Sequence, residues 1–435
     1  MVFPGNDTHF VLLPHAQFVR GACGSVIHDL FDRKLYWFNG REVAGALALV
    51  AKGRPIEEAA ERSSLPCDEL RQYLDALVRL RVGEYAPHPF AAEGYRPWAL
   101  DLQVKKEGFN FQGGTVTVEL ARECLYDCAW CSSKGALTAE ACGCFVSPEG
   151  DTESPPVPME RVVRGVELLR SLGFDRLVIA GGEPFREAER LWQLLELAAR
   201  LGMKTELHTT GLVDSETIER LCSFDVRLTL PFAAPDARAF DRAAGRPSSY
   251  GSLLNAISRL VSRGIPFTAK IPAGVGREER ALAAADFIMS EGAEGISFLV
   301  YGLPGQHSPE RIGKVVAPQD PAAMAVDLRQ FMINSQRHYC FHNALFIAAD
   351  GSVKPCPGWK TAVASLNEKD LAAVLGGGFF DRFAATARSS ITSCTACEFR
   401  LGCRACLART VEWKGSLSSR HWLCSYEPES GRWKN

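Results

Sequence analysis

The chain contains no apolar run approaching the ~18 residues that would cross a bilayer, so no membrane partner is expected. It also lacks a charge imbalance: 49 Lys and Arg stand against 51 Asp and Glu, a formal net charge of −2. Nothing in that balance draws the molecule to nucleic acid or an anionic surface. The opening residues, MVFPGNDTHF, lack the basic segment followed by an apolar stretch that marks a secretory signal, so the expected setting is cytoplasmic. No repeat of 20–50 residues runs through the sequence. At 435 residues, 46% hydrophobic and 23% charged, the composition is that of an ordinary globular chain of roughly two to four domains.

What it has in excess is cysteine, fifteen in all. Without an export signal, that number points to metal and a reducing, oxygen-poor compartment rather than to disulfides. Cys124, Cys128 and Cys131 are spaced C-x3-C-x2-C, with Trp130 before the third. Three thiolates can hold a four-iron cluster and leave one iron without a protein ligand, whereas ferredoxin-type runs that only pass electrons use four. On residue spacing alone the same three positions would share one helix face as small buried hydrophobes. About 50 residues on, the chain reads Val178-Ile179-Ala180-Gly181-Gly182-Glu183-Pro184.

Residues 9–86 read as short strands (FVLLPHAQFV, GSVIHDL, KLYWFN), with a turn at Asp32-Arg33, followed by three helices (REVAGALALVA, PIEEAAERS, DELRQYLDALVRL). That order suggests a winged-helix-like α+β domain over 1–90. A Pro-, Gly- and aromatic-containing linker covers 91–114. Residues 115–320 then alternate strand and helix. Strands are expected at 115–120, 176–180, 204–209, 226–230, 267–271 and 295–300, and Gly173, Gly202 and Gly264 are placed to close helices. Alternating units of this kind build a parallel sheet with its site at the carboxyl ends of the strands. The three-cysteine run follows the first strand and GGEP the second, so both fall on one rim. An insertion at 134–158, with Pro155, Pro156 and Pro158, is expected to be irregular. From 321 to 435 the chain is loop-rich and carries Cys340, Cys356, Cys394, Cys397, Cys403, Cys406 and Cys424. By number alone these seven also suit zinc.

The cysteine triplet followed by GGEP resembles the radical SAM superfamily. The resemblance implies an α/β fold with a partial (β/α)6 TIM-like barrel. It also implies a cluster whose open iron chelates S-adenosylmethionine (SAM), and cleavage of SAM to methionine and a 5′-deoxyadenosyl radical that removes a hydrogen from carbon. Gly181 and Gly182 would let backbone approach the methionine end, Glu183 would accept from its ammonium, and Pro184 would stiffen the turn. Thr209-Thr210-Gly211 stands where relatives show Thr-Asn-Gly, and Thr229 where they place a serine. The family's arginine position holds Ala244, leaving Arg242 or Arg246 as the candidate carboxylate contact. Tyr301 is either an adenine neighbour or a core-edge aromatic.

The C-terminal cysteines resemble the SPASM domain, which binds two auxiliary iron–sulfur clusters and would bring the total to three [4Fe-4S] clusters. By that resemblance Cys340, Cys356 and Cys406 hold the first auxiliary cluster, and Cys394, Cys397, Cys403 and Cys424 the second. The usual C-x2-C-x5-C-x3-C run is one residue short, with only Arg404 and Ala405 before Cys406. The first site then has three evident cysteines, and its fourth position falls to substrate thiolate, water, His338 or His342. Cys142 and Cys144, in the insertion, have relatives in which a cysteine is a hydrogen donor or an extra ligand. Cys23, Cys67 and Cys222 read as core.

The first domain resembles the PqqD-like recognition element of enzymes that modify ribosomally made peptides (RiPPs). There a leader peptide adds as a strand to the sheet edge. Tyr36, Trp37 and Leu74 are expected to form a selectivity pocket. The stretch from Val19 to Leu30 is similar to peptide maturases of the grasp-with-SPASM kind. The third helix, with three acidic and three basic residues over 68–81, lacks the basic face of a DNA reader. The expected function is a radical SAM/SPASM peptide maturase forming a thioether or carbon–carbon crosslink, served by a low-potential donor of flavodoxin or ferredoxin type. Its rivals are a sulfatase-activator-like maturase of folded protein and a zinc-binding winged-helix regulator.

Overall fold

The computed structural model describes residues 9–88, 113–134, 136–138, 142, 155–302, 321–341, 344–367, 371–375, 387–404, 406–421 and 424–433. Cys144, His342 and most of the expected linker lie outside them.

The chain opens with β1 (His9–Leu12), β2 (Ala16–Arg20), β3 (Gly24–Asp29) and β4 (Lys34–Asn39), then α1 (Arg41–Val50), α2 (Ile56–Ser63), α3 (Cys67–Arg79) and β5 (Gly83–Ala86). β2, β3 and β4 form an antiparallel sheet, and β1 pairs with β5 in a separate ribbon. The turn before β4, expected at Asp32-Arg33, places Arg33 at φ 54°, in the left-handed region. Period-two alternation divides β4 between two cores. Tyr36 and Phe38 pack with Leu47, Leu70 and Leu74 against the helices. Leu35 and Trp37 pack instead with Phe399, Leu401 and Tyr426 of the C-terminal segment.

The central body alternates as the sequence predicts: β6 (Gly114–Ala121), β7 (Leu137–Thr138), α4 (Met159–Ser171), β8 (Phe174–Gly181), α5 (Ala188–Leu201), β9 (Lys204–His208), α6 (Ser215–Leu221), β10 (Val226–Pro231), α7 (Ala237–Ala244), α8 (Ser249–Ser262), β11 (Phe267–Gly274), α9 (Glu278–Ser290) and β12 (Gly295–Gly302). Six parallel strands run in the order β6-β8-β9-β10-β11-β12, the partial barrel expected of the family. Helices cover one face, where Leu177, Ile179, Leu207, Leu228, Leu230, Ala269 and Ile271 are buried. Gly202 and Gly264 close α5 and α8 at φ 60° and 68°, a conformation open to glycine at little cost.

The sheet does not stop at the barrel. The two-residue strand β7, from the insertion, pairs antiparallel with β12. β13 (Ala344–Ile347) lies parallel beside β6, and β14 (Ser352–Lys354) and β15 (Ala364–Ser365) extend it to ten strands. The ladder therefore runs past the boundary expected at 320/321. No described helix is long and apolar enough to cross a membrane.

The amino-terminal sheet and the cysteine-rich segment share a core, and His28 sits in it. The ring is fully buried, packs edge-on against Phe331 at 5.4 Å, and has no hydrogen-bond partner among the described residues at either nitrogen. Burial lowers its pKa to about 4. A depressed histidine contributes stability that is complete above the unfolded value near 6.5 and is lost as pH falls toward 4. Unfolding free energy is expected to drop by about 2 kcal/mol between pH 6.5 and 5 through this residue. His28→Leu should flatten that part of the profile in denaturant titrations, and an unchanged slope would disprove the assignment.

Candidate active site

β6 delivers the three-cysteine run to the barrel rim as a loop, not as a helix face. Backbone pins it: Asp127 and Ala129 donate to the carbonyls of Ala244 and Ala243 at 2.8 and 3.1 Å, and the Arg246 guanidinium donates to the Leu125 carbonyl at 3.2 Å. Gly245 sits at φ 67°, and a Cβ there would overlap Asp127. Asp241 in turn accepts from the amides of Ser248 and Tyr250. The Asp241–Arg246 segment thus braces the cysteine loop. Neither Arg242 nor Arg246, the carboxylate contacts the resemblance implies, is among the described residues lining the cavity; the cations that line it are Arg122, Arg186 and Lys270.

That cavity holds about 420 Å³, within the roughly 300–1,000 Å³ of an ordinary small-ligand pocket. Cys124, Cys128, Cys131 and Trp130 line it together with Gly181, Gly182 and Thr229. Trp130 is only 2% exposed and forms a dry wall beside the thiols. Tyr126 backs it, donating to the Thr210 carbonyl at 3.2 Å; burial, then the Cys128, Glu183 and Cys124 charges, push its phenol pKa up. The Cys131 Sγ lies 2.8 Å from the Ser133 Oγ.

The two glycines of GGEP are demanded by close approach. Gly182 and Glu183 donate to the Ala121 and Glu123 carbonyls at 2.7 Å, and a Cβ on Gly182 would overlap the Glu123 carbonyl. This stitches the end of β8 to the start of the cysteine loop and leaves only glycine backbone on the cavity wall. Glu183 does not face the cavity, contrary to the ammonium contact expected from the resemblance. It is 1% exposed and accepts from Thr209 Oγ1 at 2.8 Å, Thr210 N at 2.8 Å, Phe185 N at 3.2 Å and the Thr210 hydroxyl. Burial raises its pKa against the pull of these donors. Pro184 is buried at the start of the turn that follows. Thr209 and Thr210 therefore serve Glu183 as well as lining the site.

Several residues in and behind the cavity wall carry no motif; His208, Thr229 and Lys270 line it. Glu206 and His208 are two apart on β9, 2.7 Å from each other, and Thr229 donates to the same Glu206 oxygen at 2.7 Å. Thr268 meets Thr229 at 2.9 Å, and Lys270 follows on β11. Burial alone would raise the Glu206 pKa, yet hydrogen bonds from His208 and Thr229 and the Lys270 charge hold it down at about 2. Burial lowers that of His208. Their signal in the sequence is the alternation within KTELH, VRLTL and FTAKI: apolar positions face the helices, polar ones the barrel interior. Tyr301 is buried within β12, where Gly274 approaches its ring, so the core-edge reading describes it.

Cys394, Cys397, Cys403 and Cys424 all line a second, small cavity of about 30 Å³, with Arg388, Arg400, Arg420 and His421 around them. The sequence separates these thiols by up to 30 residues, and the fold gathers them, as a four-iron site requires. Burial raises the pKa of Cys394 and Cys397 as free thiols, and a bound cluster would reverse that. Burial raises the pKa of the Cys356 thiol, and the Cys406 charge acts the same way. Next to Cys340, the Phe341 ring meets Trp359 edge-on at 5.6 Å. The His338 Nδ1 accepts from the Cys340 amide at 3.3 Å. No three described His, Cys, Asp or Glu side chains converge on a single-ion position. Cys222, expected in the core, is exposed at the end of α6; Cys23 and Cys67 are half-buried at the edges of elements.

Residues 118–288 match the profile of the Radical SAM superfamily. This span, with its cysteine loop and glycine cradle on one rim, has the sequence profile of a radical SAM domain. The whole chain is similar in fold to SuiB of Streptococcus suis bound to precursor peptide SuiA, at 15% identity and TM-score 0.52, covering 93% of this chain and 97% of that one. SuiB bound to S-adenosylmethionine gives 15% and 0.51, covering 94% and 98%. The anSMEcpe protein with bound AdoMet gives 13% and 0.52, covering 71% and 90%. No curated protein matches the chain.

Proposed function

We propose that this radical SAM enzyme is a peptide maturase that crosslinks a ribosomally made precursor. The observation that supports the reading is the joining, in one molecule, of a barrel cavity at the cysteine loop with an amino-terminal α+β unit packed on the cysteine-rich segment. Bound cluster and SAM would supply a strong one-electron reductant and a radical able to take hydrogen from carbon. The chain's own part is to hold and shield them. Cys124, Cys128 and Cys131 are the cluster ligands. The backbone of Gly181 and Gly182 and the hydroxyl of Thr229 border SAM. Trp130 and Tyr126 exclude water. Glu206, His208 and Lys270 orient the peptide segment inside the barrel.

The α+β unit, spanning residues 1–90 in this reading, is the PqqD-like recognition domain. Among the described residues β4 pairs with a strand on one side only, so a leader peptide can add to its other edge. The selectivity pocket differs from the one expected at sequence level. Trp37 is turned away to Glu398 and Leu74 is fully buried, which leaves Tyr36, Phe38 and Tyr73 as the side chains beside that edge. The SPASM segment, residues 321–435, would carry two auxiliary clusters, and a flavodoxin- or ferredoxin-type protein would supply electrons.

Protein reconstituted anaerobically with iron and sulfide is expected to convert SAM to 5′-deoxyadenosine when reduced. A short peptide encoded beside the gene should then lose the mass of two hydrogen atoms. Fully iron-loaded protein that forms no deoxyadenosine would overturn the enzymatic reading. Deoxyadenosine formation on a folded protein substrate, with no binding of the peptide, would favour the sulfatase-activator-like alternative.

A further inference from the structure

The four thiols of the second cysteine cavity share its wall with three arginines, Arg388, Arg400 and Arg420. No Asp or Glu stands among the described residues that line it. Glu398, next to Cys397 in the chain, is engaged by Trp37 and the Tyr426 hydroxyl instead. A guanidinium does not give up its proton in a protein, so each arginine brings a permanent positive charge. Arg388 brings it into the interior: the residue is only 4% exposed, in the turn Arg388–Ser390 that leads into the short helix Thr392–Thr395 carrying Cys394. Arg400 lies between Cys397 and Cys403, and its Nη1 is fixed by donating to the carbonyls of Cys397 and Arg20 at 2.8 and 2.7 Å. Arg420 stands just before Cys424 in the chain and is half-buried. Each stretch that delivers thiols to this cavity therefore delivers an arginine with them.

We propose that Arg388, Arg400 and Arg420 form a fixed cationic shell that raises the reduction potential of the cluster held by Cys394, Cys397, Cys403 and Cys424. This rests on reading the C-terminal segment as iron–sulfur sites. Thiolates bound to iron answer these cations with negative charge, which neutral thiols cannot do. Net charge is among the quantities that set the potential of such a group, and reduction adds one more negative charge to it. A positive charge fixed nearby therefore favours the reduced form. At an effective dielectric of about 20 and a separation of about 10 Å, one such charge shifts the reduction equilibrium by on the order of tenfold. The consequence is directional. Crosslinking takes two hydrogens from the peptide: one leaves as an atom to the deoxyadenosyl radical, the other as a proton to solvent and an electron to an oxidised iron–sulfur acceptor. The arginines suit this site to receive that electron rather than to send one toward the SAM cavity.

The test uses the full chain carrying Cys124→Ala, Cys128→Ala and Cys131→Ala, which leaves only the auxiliary sites, reconstituted anaerobically with iron and sulfide. About eight irons per chain are expected from two four-iron clusters. Dithionite titration with redox mediators, followed by low-temperature EPR, should then resolve two one-electron steps. Adding Arg388→Met should make one step about tenfold less favourable, a downward shift of ~59 mV. The other step should stay where it was and report a folded chain. Arg388→Lys, which keeps the charge, should hold the first step near its original position. Arg420→Met should lower the same step by less, and by less again at high salt, because a half-exposed charge is screened. Should Arg388→Met fail to take up iron, Arg420→Met and Arg420→Lys carry the same comparison. Iron-loaded Met variants whose steps do not move, or move upward as entering water would make them, overturn the proposal alone, as do two variants that move different steps. Zinc in place of iron overturns the reading of the segment and the proposal together.

Discussion

Replacing Glu183 with alanine is expected to collapse the rim of the barrel, lowering unfolding free energy by on the order of 4 kcal/mol. The carboxylate never reaches the cavity. It collects the backbone amides of Thr210 and Phe185 and the hydroxyls of Thr209 and Thr210 in a site that is 1% exposed. The hydroxyls can rotate to other acceptors. The two amides are fixed by the chain, and each buried N–H left without an acceptor costs about 1–3 kcal/mol, to which the lost side-chain volume adds. Glu183→Gln keeps the volume but turns two acceptor oxygens into one acceptor and one donor, so about half that loss is expected. Denaturant titration of each variant, with SAM binding by equilibrium dialysis alongside, separates the roles. A carboxylate that knots the rim gives stability loss and binding loss together, in the order Ala then Gln. A carboxylate that contacts the SAM ammonium would lose binding in Glu183→Gln at unchanged stability.

Glu398→Ala is expected to loosen the amino-terminal sheet from the cysteine-rich segment, at a cost of about 3 kcal/mol. Glu398 is fully buried between Cys397 and Phe399. Its Oε1 accepts from Trp37 Nε1 at 3.2 Å and from the Tyr426 hydroxyl at 2.5 Å. Gly21 and Gly24, at the β2–β3 turn, admit it, since a Cβ on either would overlap the carboxylate. The Ala22 amide donates to the Ala396 carbonyl at 2.8 Å, and Arg400 donates to the Arg20 carbonyl at 2.7 Å. Truncation strands an indole N–H and a phenol inside this seam. Faster proteolysis and hydrogen exchange over β2 to β4, with the barrel unchanged, are the expected readouts. Because Cys397 and Cys403 flank the same turn, the second cysteine cavity should also lose iron more readily to chelator. Exchange rates unchanged across β2 to β4 would show that the seam does not depend on this carboxylate.

Much of this architecture is legible in the sequence because it follows from short-range rules. Each barrel strand was placed to within a few residues by apolar periodicity and by glycines such as Gly202 and Gly264. The two motifs land on one rim because strand order forces them there. What resisted reading involves contacts far apart in the chain. Glu183 reads as a ligand within GGEP, and only the positions of Thr209 and Thr210 show it turned inward. Trp37 reads as part of a peptide pocket until Glu398, 361 residues away, accepts a hydrogen bond from its indole N–H. Arg242 was chosen from a neighbouring motif, whereas Lys270 lies on a strand whose alternation gives the side facing the cavity but not the residue's task.

The residue order by itself determined the alternating α/β body, the rim that carries Cys124, Cys128, Cys131 and GGEP, and an abundance of thiols suited to metal. These depend on spacing and periodicity, which are local properties. Tertiary structure alone decided which thiols meet, that the sheet continues from β6 into β13, and that Trp37 is spent on a seam between segments. Those outcomes arise because burial and hydrogen-bond satisfaction are settled over the whole molecule at once, where a carboxylate such as Glu398 takes whichever donors the closing fold brings within reach.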